Sequence, residues 1–233
     1  NAVTAKSSFG EKFYQNFIQD NRYAYMLKGL GNTLLITVLA LLVGVVFGFL
    51  IAIVRTNHDR NGGLTILNAL CKLYLTIVRG TPVMIQLLII YYVIFQSIDT
   101  GKIVVAVIAF GLNSAAYVAE IVRSGIMAVD IGQFEAGRSL GLNYRQTMTT
   151  IILPQAVKNI LPNFGNEFTN LIQASSQVMV IGVAELMFTF NTISSNGRVF
   201  TPLIVIAFLY FVMTFTVGRG VHAMEKHFKK ADR

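Results

Sequence analysis

Charge is scarce in this chain. Only 13% of its 233 residues are Asp, Glu, Lys or Arg, against 54% hydrophobic residues, whereas a soluble domain carries about a quarter charged residues. A surface wetted on all sides is excluded, and a mean hydropathy of +0.61 asks for lipid. Cysteine occurs once, at Cys71, which rules out an intrachain disulfide and leaves the redox compartment open. The three histidines, His58, His222 and His227, are scattered in polar flanks without a metal-ligand spacing and read as solvated surface. No GxxxxGKS or GxxxxGKT run is present, so the chain does not bind ATP through a phosphate loop. No nucleophile, base and orienting group stand at a recognisable spacing, which leaves a membrane-bound enzyme without support. Acidic residues number 11 against 19 basic ones, a net charge of +8. The basic residues border apolar runs instead of interleaving with aromatics on a polar domain, a pattern that excludes nucleic acid as partner.

What is present is a series of apolar runs. Residues 29–54 carry no charge, ample for one tilted transmembrane helix of about 20 residues. Residues 64–98 are apolar but interrupted by Arg79, Gly80, Thr81 and Pro82. Proline cannot continue the helical ladder and disfavours helix in the residue before it, so the pattern predicts an amphipathic approach over 64–78 and a span over 83–98. A third span is expected over 103–119, closed by Glu120 and Arg123. Residues 151–190 are interrupted by Pro154, Pro162, Glu167 and a polar patch at 173–177, and read as one discontinuous span. The last span covers 199–218, followed by basic residues to the end of the sequence. Five spans put the termini on opposite sides of the membrane. With the C-terminal end inside, only Lys6, Lys12, Arg22, Lys28, Lys102 and Arg198 of the 19 basic residues stay outside, as the positive-inside rule prefers. Residues 1–28 then form an extracytoplasmic segment, in which Phe13, Tyr14, Phe17, Tyr23 and Tyr25 suit a helix at the outer interface. Residues 29–222 form the membrane domain and 223–233 a basic cytoplasmic tail.

One stretch is unlike the rest: residues 130–156, DIGQFEAGRSLGLNYRQTMTTIILPQA. Asp130 with Gln133 three residues later has the spacing of a capping box, and Gly141 supplies a left-handed stop, so a helix is predicted over 131–140. About ten residues rise roughly 15 Å, half a hydrocarbon core, and such a helix lies at the membrane surface. Ile131, Phe134 and Leu140 fall near one side, with Glu135 and Arg138 elsewhere. These residues resemble the EAA motif of ATP-binding-cassette importer permeases, matched here by Glu135, Ala136, Gly137, Gly141, Ile151 or Ile152, Leu153 and Pro154. Further matches follow in order: Gly31, Asn32 and Thr33; Arg79, Gly80, Thr81 and Pro82 with Gln86; AYVAEIVR over 116–123; and VIGVAEL over 180–186. The resemblance covers residues 29–222 and is closest to the polar amino acid branch.

That resemblance implies an all-α membrane protein, a five-span type I importer permease core with a cytoplasmic coupling helix, in a bacterial cytoplasmic membrane. It implies a second, identical or related permease, two ATPase subunits that hold ATP and Mg, and an extracytoplasmic binding protein that delivers an amino acid. This chain itself is then non-catalytic and without cofactor. Its first residue is Asn1, and a cut from a binding-domain fusion and a removed signal sequence are equally compatible with that. Coupling residues carried over are Phe134, Glu135, Ala136, Gly137, Arg138 and Gly141. The substrate pathway is expected at Gln86, Tyr117, Asn170, Gln173, Ser175, Ser176 and Gln177.

The chain departs from the family at two places. Gly137 replaces a second alanine, which loosens a helix by up to about 1 kcal/mol. Gln173 and Ala174 stand where relatives commonly have Lys and Asp. Losing both charges in a region where broken helices expose polar groups to a cavity points to a neutral polar substrate such as glutamine or cystine. For Gln173, Ser175, Ser176 and Gln177, hydrogen bonding between helices is an equal alternative. Glu167 and Glu185 each cost about 2.5–3.5 kcal/mol at the bilayer centre and read as members of ion pairs near helix ends. Glu120 and Arg123 are spaced for a local pair, and Gly44 with Gly48 forms a GxxxG that permits close helix approach or a dimer contact. The competing function is a secondary transporter or channel independent of ATP, with Glu167 and Glu185 as its ion-coupling candidates; it leaves the surface helix unexplained.

Overall fold

The computed structural model describes residues 10–11, 14–194 and 200–230, and among these every regular element is helical. Phe13, the expected start of the last span at 199, and Lys6, Lys12 and Arg198 lie outside the described residues. Helix α1, Arg22–Asn61, is unbroken over 40 residues. It rises about 60 Å, twice the hydrocarbon thickness, so the uncharged run 29–54 is only its middle. Gly62, at φ +67°, ends it by donating its N–H to the His58 carbonyl. Helix α2, Thr65–Gly80, is amphipathic and meets α3, Val83–Ile89, at the predicted break. A π-helical turn, Ile90–Ile94, extends α3, and the two arms are bent by 107°.

Helix α4, Lys102–Met127, is the central element and, between Val105 and Ile126, buries mainly small and β-branched residues together with Phe110. The surface helix α5 runs Ile131–Ser139; a short turn, α6, Tyr144–Thr147, leads through a π-helical turn, Met148–Ile152, into α7, Leu153–Ala174. Pro154 sits at the start of α7 and Pro162 lies inside it without ending it. The discontinuity expected across 151–190 therefore falls at the 3-10 turn Ser175–Ile181 and Gly182 (φ +74°), before α8, Leu186–Ser194. Helix α9, Phe200–Lys230, continues through residues 223–230, which are helical where a separate tail was expected. Phe17 is buried with Met26, Leu186, Ile193 and Ile206, while Tyr14, Tyr23 and Tyr25 are exposed, so the aromatic cluster divides between core and surface.

Three helical stretches are long and apolar enough to cross a membrane: Tyr14–Arg60, Lys102–Met127 and Pro202–Phe228. Counting the bent pair Thr65–Gly80 and Val83–Ile94 as one makes four. The fourth expected span, over 151–190, is not apolar enough to stand out, because α7 carries Gln155, Lys158, Asn159, Asn163, Asn166, Glu167 and Asn170. The molecule is thus an all-helical membrane protein with three to four candidate spans.

What fixes the bundle is the crossing of α1 and α4. A Cβ at Gly44 would stand 2.7 Å from Ser114 Oγ, one at Gly48 2.5 Å from Val118 Cγ1, and one at Gly111 2.6 Å from Val43 Cγ1. The GxxxG is consumed inside the chain and gives no dimer contact: two helices without side chains at the contact approach until backbone and small groups touch. Gly48→Leu is expected to leave no monodisperse folded protein in detergent. Gly48→Ala should cost about 1–3 kcal/mol through overpacking, read as a lowered unfolding midpoint. Gly31→Ala, where nothing stands within 4 Å of an added Cβ, should leave the midpoint in place.

Candidate functional site

The surface helix begins and ends by identifiable hydrogen bonds. Asp130 Oδ1 accepts the Gly132 N–H at 2.7 Å, while the Gln133 N–H goes to the Asp130 carbonyl. Gln133 does not complete the expected capping box, because its side-chain oxygen accepts from Gln155 Nε2 at 3.3 Å. A full capping box forms instead at Asn143 and Gln146, whose side chains and backbone N–H groups exchange two bonds of 2.9 Å. At the far end Gly141, at φ +78°, donates to the Arg138 carbonyl and Leu142 to that of Gly137, a Schellman stop that any L side chain at Gly141 would strain.

The apolar side expected from Ile131, Phe134 and Leu140 is not one side. Ile131 and Leu140 are 63% and 77% exposed, whereas Phe134 is buried against the body of the chain. Its ring carries the Arg60 guanidinium 3.6 Å from the centroid and stacks with Tyr144 at 6.5 Å, fastening α5 to the end of α1. Glu135, Ala136 and Arg138 are exposed, and Gly141 with them. Gly137 is buried: an added Cβ would meet Thr147 Cγ2 at 2.7 Å and Oγ1 at 2.8 Å. The missing second alanine has a steric cause, since Thr147 occupies the space that its methyl would need. A cleft of 680 Å³ beside α5 is lined by Asp59, Arg60, Glu135, Arg138 and Tyr144, among others.

Deeper in the bundle, the break between α2 and α3 opens a cavity of 490 Å³. Arg79, Gly80, Thr81 and Pro82 form one wall; Asn113 and Tyr117 of α4 and Glu167, Asn170, Leu171 and Ala174 of α7 form the others. Gln86 does not line it. Its amide nitrogen lies 2.7 Å from the Val78 carbonyl and 2.9 Å from the Thr81 carbonyl and hydroxyl, so it satisfies acceptors that the bend leaves without helical partners. Asn113 in turn donates to Gln86 Oε1 at 3.1 Å. Of the residues assigned to the substrate pathway, Tyr117 and Asn170 face this cavity and five do not. Ser175 and Ser176 return their hydroxyls to the backbone carbonyls of Ile172 and Gln173. Gln173 is exposed outside it, and Gln177 holds a buried side-chain oxygen without a hydrogen-bond partner.

Among the described residues neither intramembrane carboxylate joins an ion pair, contrary to expectation. Glu167, 5% exposed, accepts from Ser114 Oγ at 2.7 Å and from the Asn170 side chain. Glu185 is fully buried and caps α8, accepting the N–H groups of Met187 and Phe188 at 2.7 and 2.6 Å and the Tyr210 hydroxyl at 3.0 Å. The same turn is held from α1, where Asn32 donates to the Ala184 carbonyl at 2.7 Å and Thr33 Oγ1 accepts from Leu186 at 3.3 Å. Two motifs with contacts 152 residues apart in sequence thus form one structural joint. Glu120 and Arg123 pair at 2.8 Å, but within a larger cluster: Glu120 also receives Arg55 at 3.3 Å and Arg79 at 3.9 Å, and Arg123 reaches Asp59 at 3.2 Å. Sequence reasoning missed Arg55, Asp59, Asn113 and Ser114. The last two carried a signal, being polar side chains inside the apolar run 103–119.

Residues 44–230 match the family of the binding-protein-dependent transport system inner membrane component. The chain is 38% identical over 210 residues to the probable amino-acid ABC transporter permease protein YckA of Bacillus subtilis, covering 88% of this chain and 90% of that one. It is 34% identical over 218 residues to the putative glutamine transport system permease protein GlnP of Rickettsia typhi, with 92% and 95% covered. The arginine transport system permease protein ArgU of Corynebacterium glutamicum is 35% identical over 240 residues, with 96% and 73% covered. The crystal structure of an amino acid ABC transporter with histidines superposes with a TM-score of 0.82 at 40% identity, over 91% of this chain and 98% of the other.

The fit at Gly137 gives a test of the surface helix. Gly137→Ala, favourable by helix propensity alone, is expected to destabilise by about 1 kcal/mol or more through overpacking. In a Thr147→Ala background the nearest threonine-derived atom is the Cβ at 3.3 Å, and the cost should shrink. A double-mutant cycle on unfolding midpoints reads the coupling; independent effects would mean that Thr147 does not select glycine.

Proposed function

As this chain belongs to the binding-protein-dependent transport system inner membrane component family, as an amino acid ABC transporter permease, we propose that it carries neutral polar amino acids such as glutamine or cystine. Membership makes it a non-catalytic inner-membrane subunit and implies an ATPase and a binding protein as partners. In the proposed arrangement α7 belongs to the fourth of five spans, with Glu167 buried in the bundle and Asn159, Asn163, Asn166 and Asn170 exposed along it. The N-terminal side faces outward and α5 inward. ATP and Mg sit on two partner ATPase subunits, and a second permease, identical or related, completes the translocation path.

The observation that carries the substrate reading is the cavity at the α2–α3 break. Its 490 Å³ falls within the range of small-molecule sites, and most of its wall away from Arg79 and Glu167 is neutral: Asn113, Tyr117, Asn170, Leu171 and Ala174. Gln173 and Ala174 add no charge next to it. A cationic side chain there would lack a second counter-charge and lose several kcal/mol of hydration.

For coupling, the exposed Glu135, Ala136 and Arg138 and the protruding Ile131 and Leu140 form the surface offered to an ATPase groove. Phe134 and Gly137 work on the inner side of α5 by holding it to α1 and α6. Closure of the nucleotide-bound ATPase pair then moves α5 and the permease together, between inward-open and outward-open arrangements.

The test is ATP hydrolysis and uptake by the complex of this chain with its ATPase in proteoliposomes, with binding protein and a panel of amino acids. A neutral polar amino acid should stimulate both, and Glu135→Ala should lower coupled uptake by about tenfold, the loss of one charged hydrogen-bond partner at the interface. Gly141→Val, which strains the left-handed stop, should impair uptake while leaving membrane insertion intact. Arginine or lysine outcompeting every neutral amino acid would overturn the substrate class. Uptake on an ion gradient without ATP would replace the whole reading by a secondary transporter.

A further inference from the structure

Helix α2 has three faces, and the bundle uses only one of them. At about 100° per residue, Asn68, Tyr74, Leu75 and Val78 fall on one side, which is spent on the body of the chain. Leu75, with Tyr74 and Val78 beside it, packs on Ala116 and Ala119 of α4, and the Tyr74 hydroxyl donates to the Leu112 carbonyl. Ile66, Leu70, Leu73 and Ile77 form a second stripe, wholly apolar and between 55% and 80% exposed. Thr65, Ala69, Lys72, Thr76 and Arg79 form the third, which is polar or small and also exposed.

The course of α2 is fixed at both ends. Before it, Gly62 donates its N–H to the His58 carbonyl, and His58 Nδ1 lies 2.9 Å from the Gly63 carbonyl oxygen, which ties the start of α2 to the C-terminal end of α1. At its other end Arg79 reaches Glu120 at 3.9 Å, within the ion cluster that α1 and α4 share. Several charges grouped on spans mark the place where those spans leave the hydrocarbon. Both ends of α2 therefore stand at the same membrane boundary, on the α5 side of the bundle. The bend of 107° to the arm that follows agrees: when α3 crosses the bilayer, α2 lies close to the membrane plane.

We propose that α2 is an in-plane interfacial helix whose partner is the lipid surface, the apolar stripe lying among acyl chains and the polar stripe among headgroups, with Lys72 on an anionic phosphate. An amphipathic helix of this kind sits about 5–10 Å into the boundary between headgroups and chains. The arm Val83–Ile94 adds a rise of about 18 Å, and together they account for most of a hydrocarbon core of about 30 Å. Charge selects the headgroup. No acidic residue occurs between Asp59 and Asp99, and among the described residues Lys72 joins no ion pair. A groove of 430 Å³ at the start of α2, lined by Leu64, Ile66, Leu67 and Leu70, continues the apolar stripe and suits a hydrocarbon chain. The assignment goes beyond the transport reading and does not depend on the solute carried. With α5 facing inward, as proposed above, the leaflet is the cytoplasmic one.

The chain has no tryptophan, so single substitutions report their own depth by fluorescence. Ile66→Trp and Ile77→Trp lie about 16 Å apart along the helix axis. The chain carrying either one is placed in vesicles of equal parts phosphatidylethanolamine and phosphatidylglycerol, with bromine at the upper, middle or lower part of the acyl chains. Both tryptophans should be quenched alike, and most by the upper bromines, whereas Ala69→Trp should be quenched by acrylamide from the water. Unequal depths for Ile66→Trp and Ile77→Trp would mean that α2 crosses the bilayer, and the proposal falls. It falls equally if bromine reaches neither, because a second copy of the chain then covers the stripe. Leu70→Trp and Leu73→Trp repeat the comparison on the same stripe should either of the first pair not fold. Brominating one lipid class at a time then reads the headgroup: Leu73→Trp should favour phosphatidylglycerol about fivefold, and Lys72→Gln should bring the ratio to parity. Parity with Lys72 in place, or an unchanged ratio after its replacement, overturns the role of Lys72. None of these readouts needs ATP or a transported solute, so they stand apart from any failure of the transport reading.

Discussion

Two glycines on α1 decide how near α4 can come, and most of the functional architecture hangs on that distance. In lipid, apolar surfaces have little reason to prefer each other, so helices associate where their shapes allow backbone approach. Gly44 admits Ser114 and Gly48 admits Val118 and the Ala115 carbonyl. Ser114, held there with no exposed surface, is the residue that donates to Glu167. The same crossing, continued a few turns on, brings Arg55 and Asp59 of α1 against Glu120 and Arg123 of α4. An absent side chain thus fixes the position of a carboxylate on a third helix and of an ion cluster on two.

A second constraint is the satisfaction of interrupted backbone. Every helix end within a membrane needs internal partners for its N–H and C=O groups, and each interruption here has a dedicated side chain. Gln86 serves the carbonyls at the α2–α3 bend, and Glu185 serves the N–H groups that open α8, itself steadied by Tyr210. These groups are the supports that let a wall of irregular backbone exist beside a cavity. Gln86 and Glu185 looked like pathway or ion-pair residues because a polar side chain in an apolar run is conspicuous; the structure assigns them to the scaffold.

This explains which features could be read from sequence. The bounds of α5, the left-handed Gly141 and the break at residues 79–82 are local: they depend on proline, glycine and capping residues within a few positions, and they appeared where expected. The direction of Phe134, the fit of Gly137 to Thr147, the internal use of the GxxxG and the partners of Glu120 depend on residues up to 74 positions away, the separation of Arg60 and Phe134. No periodicity encodes them. α7 escaped notice as a uniform helix because its polar side chains lowered its hydropathy, and Pro162 suggested a break at a point where the helix continues. Among the cavity residues, Tyr117 and Asn170 were legible as polar groups on spans; Asn113 and Ser114 were equally visible but lay in a run whose apolar character dominated the reading.

Proximity alone does not establish energetic coupling between two sites, and what matters here is continuity of one rigid element. α1 is unbroken from Arg22 to Asn61. At its C-terminal end Arg60 grips Phe134 of the surface helix; one residue earlier Asp59 holds Arg123, and four residues before that Arg55 holds Glu120, the carboxylate that also contacts Arg79 at the cavity. Further along the same helix Gly44 meets Ser114, the partner of Glu167. A single helix and its direct contacts therefore connect α5 with Arg79 and Glu167, the two charged residues of the cavity wall. The interruption next to Arg79 is the bend at Thr81 and Pro82, where the helical ladder is already broken. A push on the surface helix and a ligand at the cavity would then bias the same joint from its two sides.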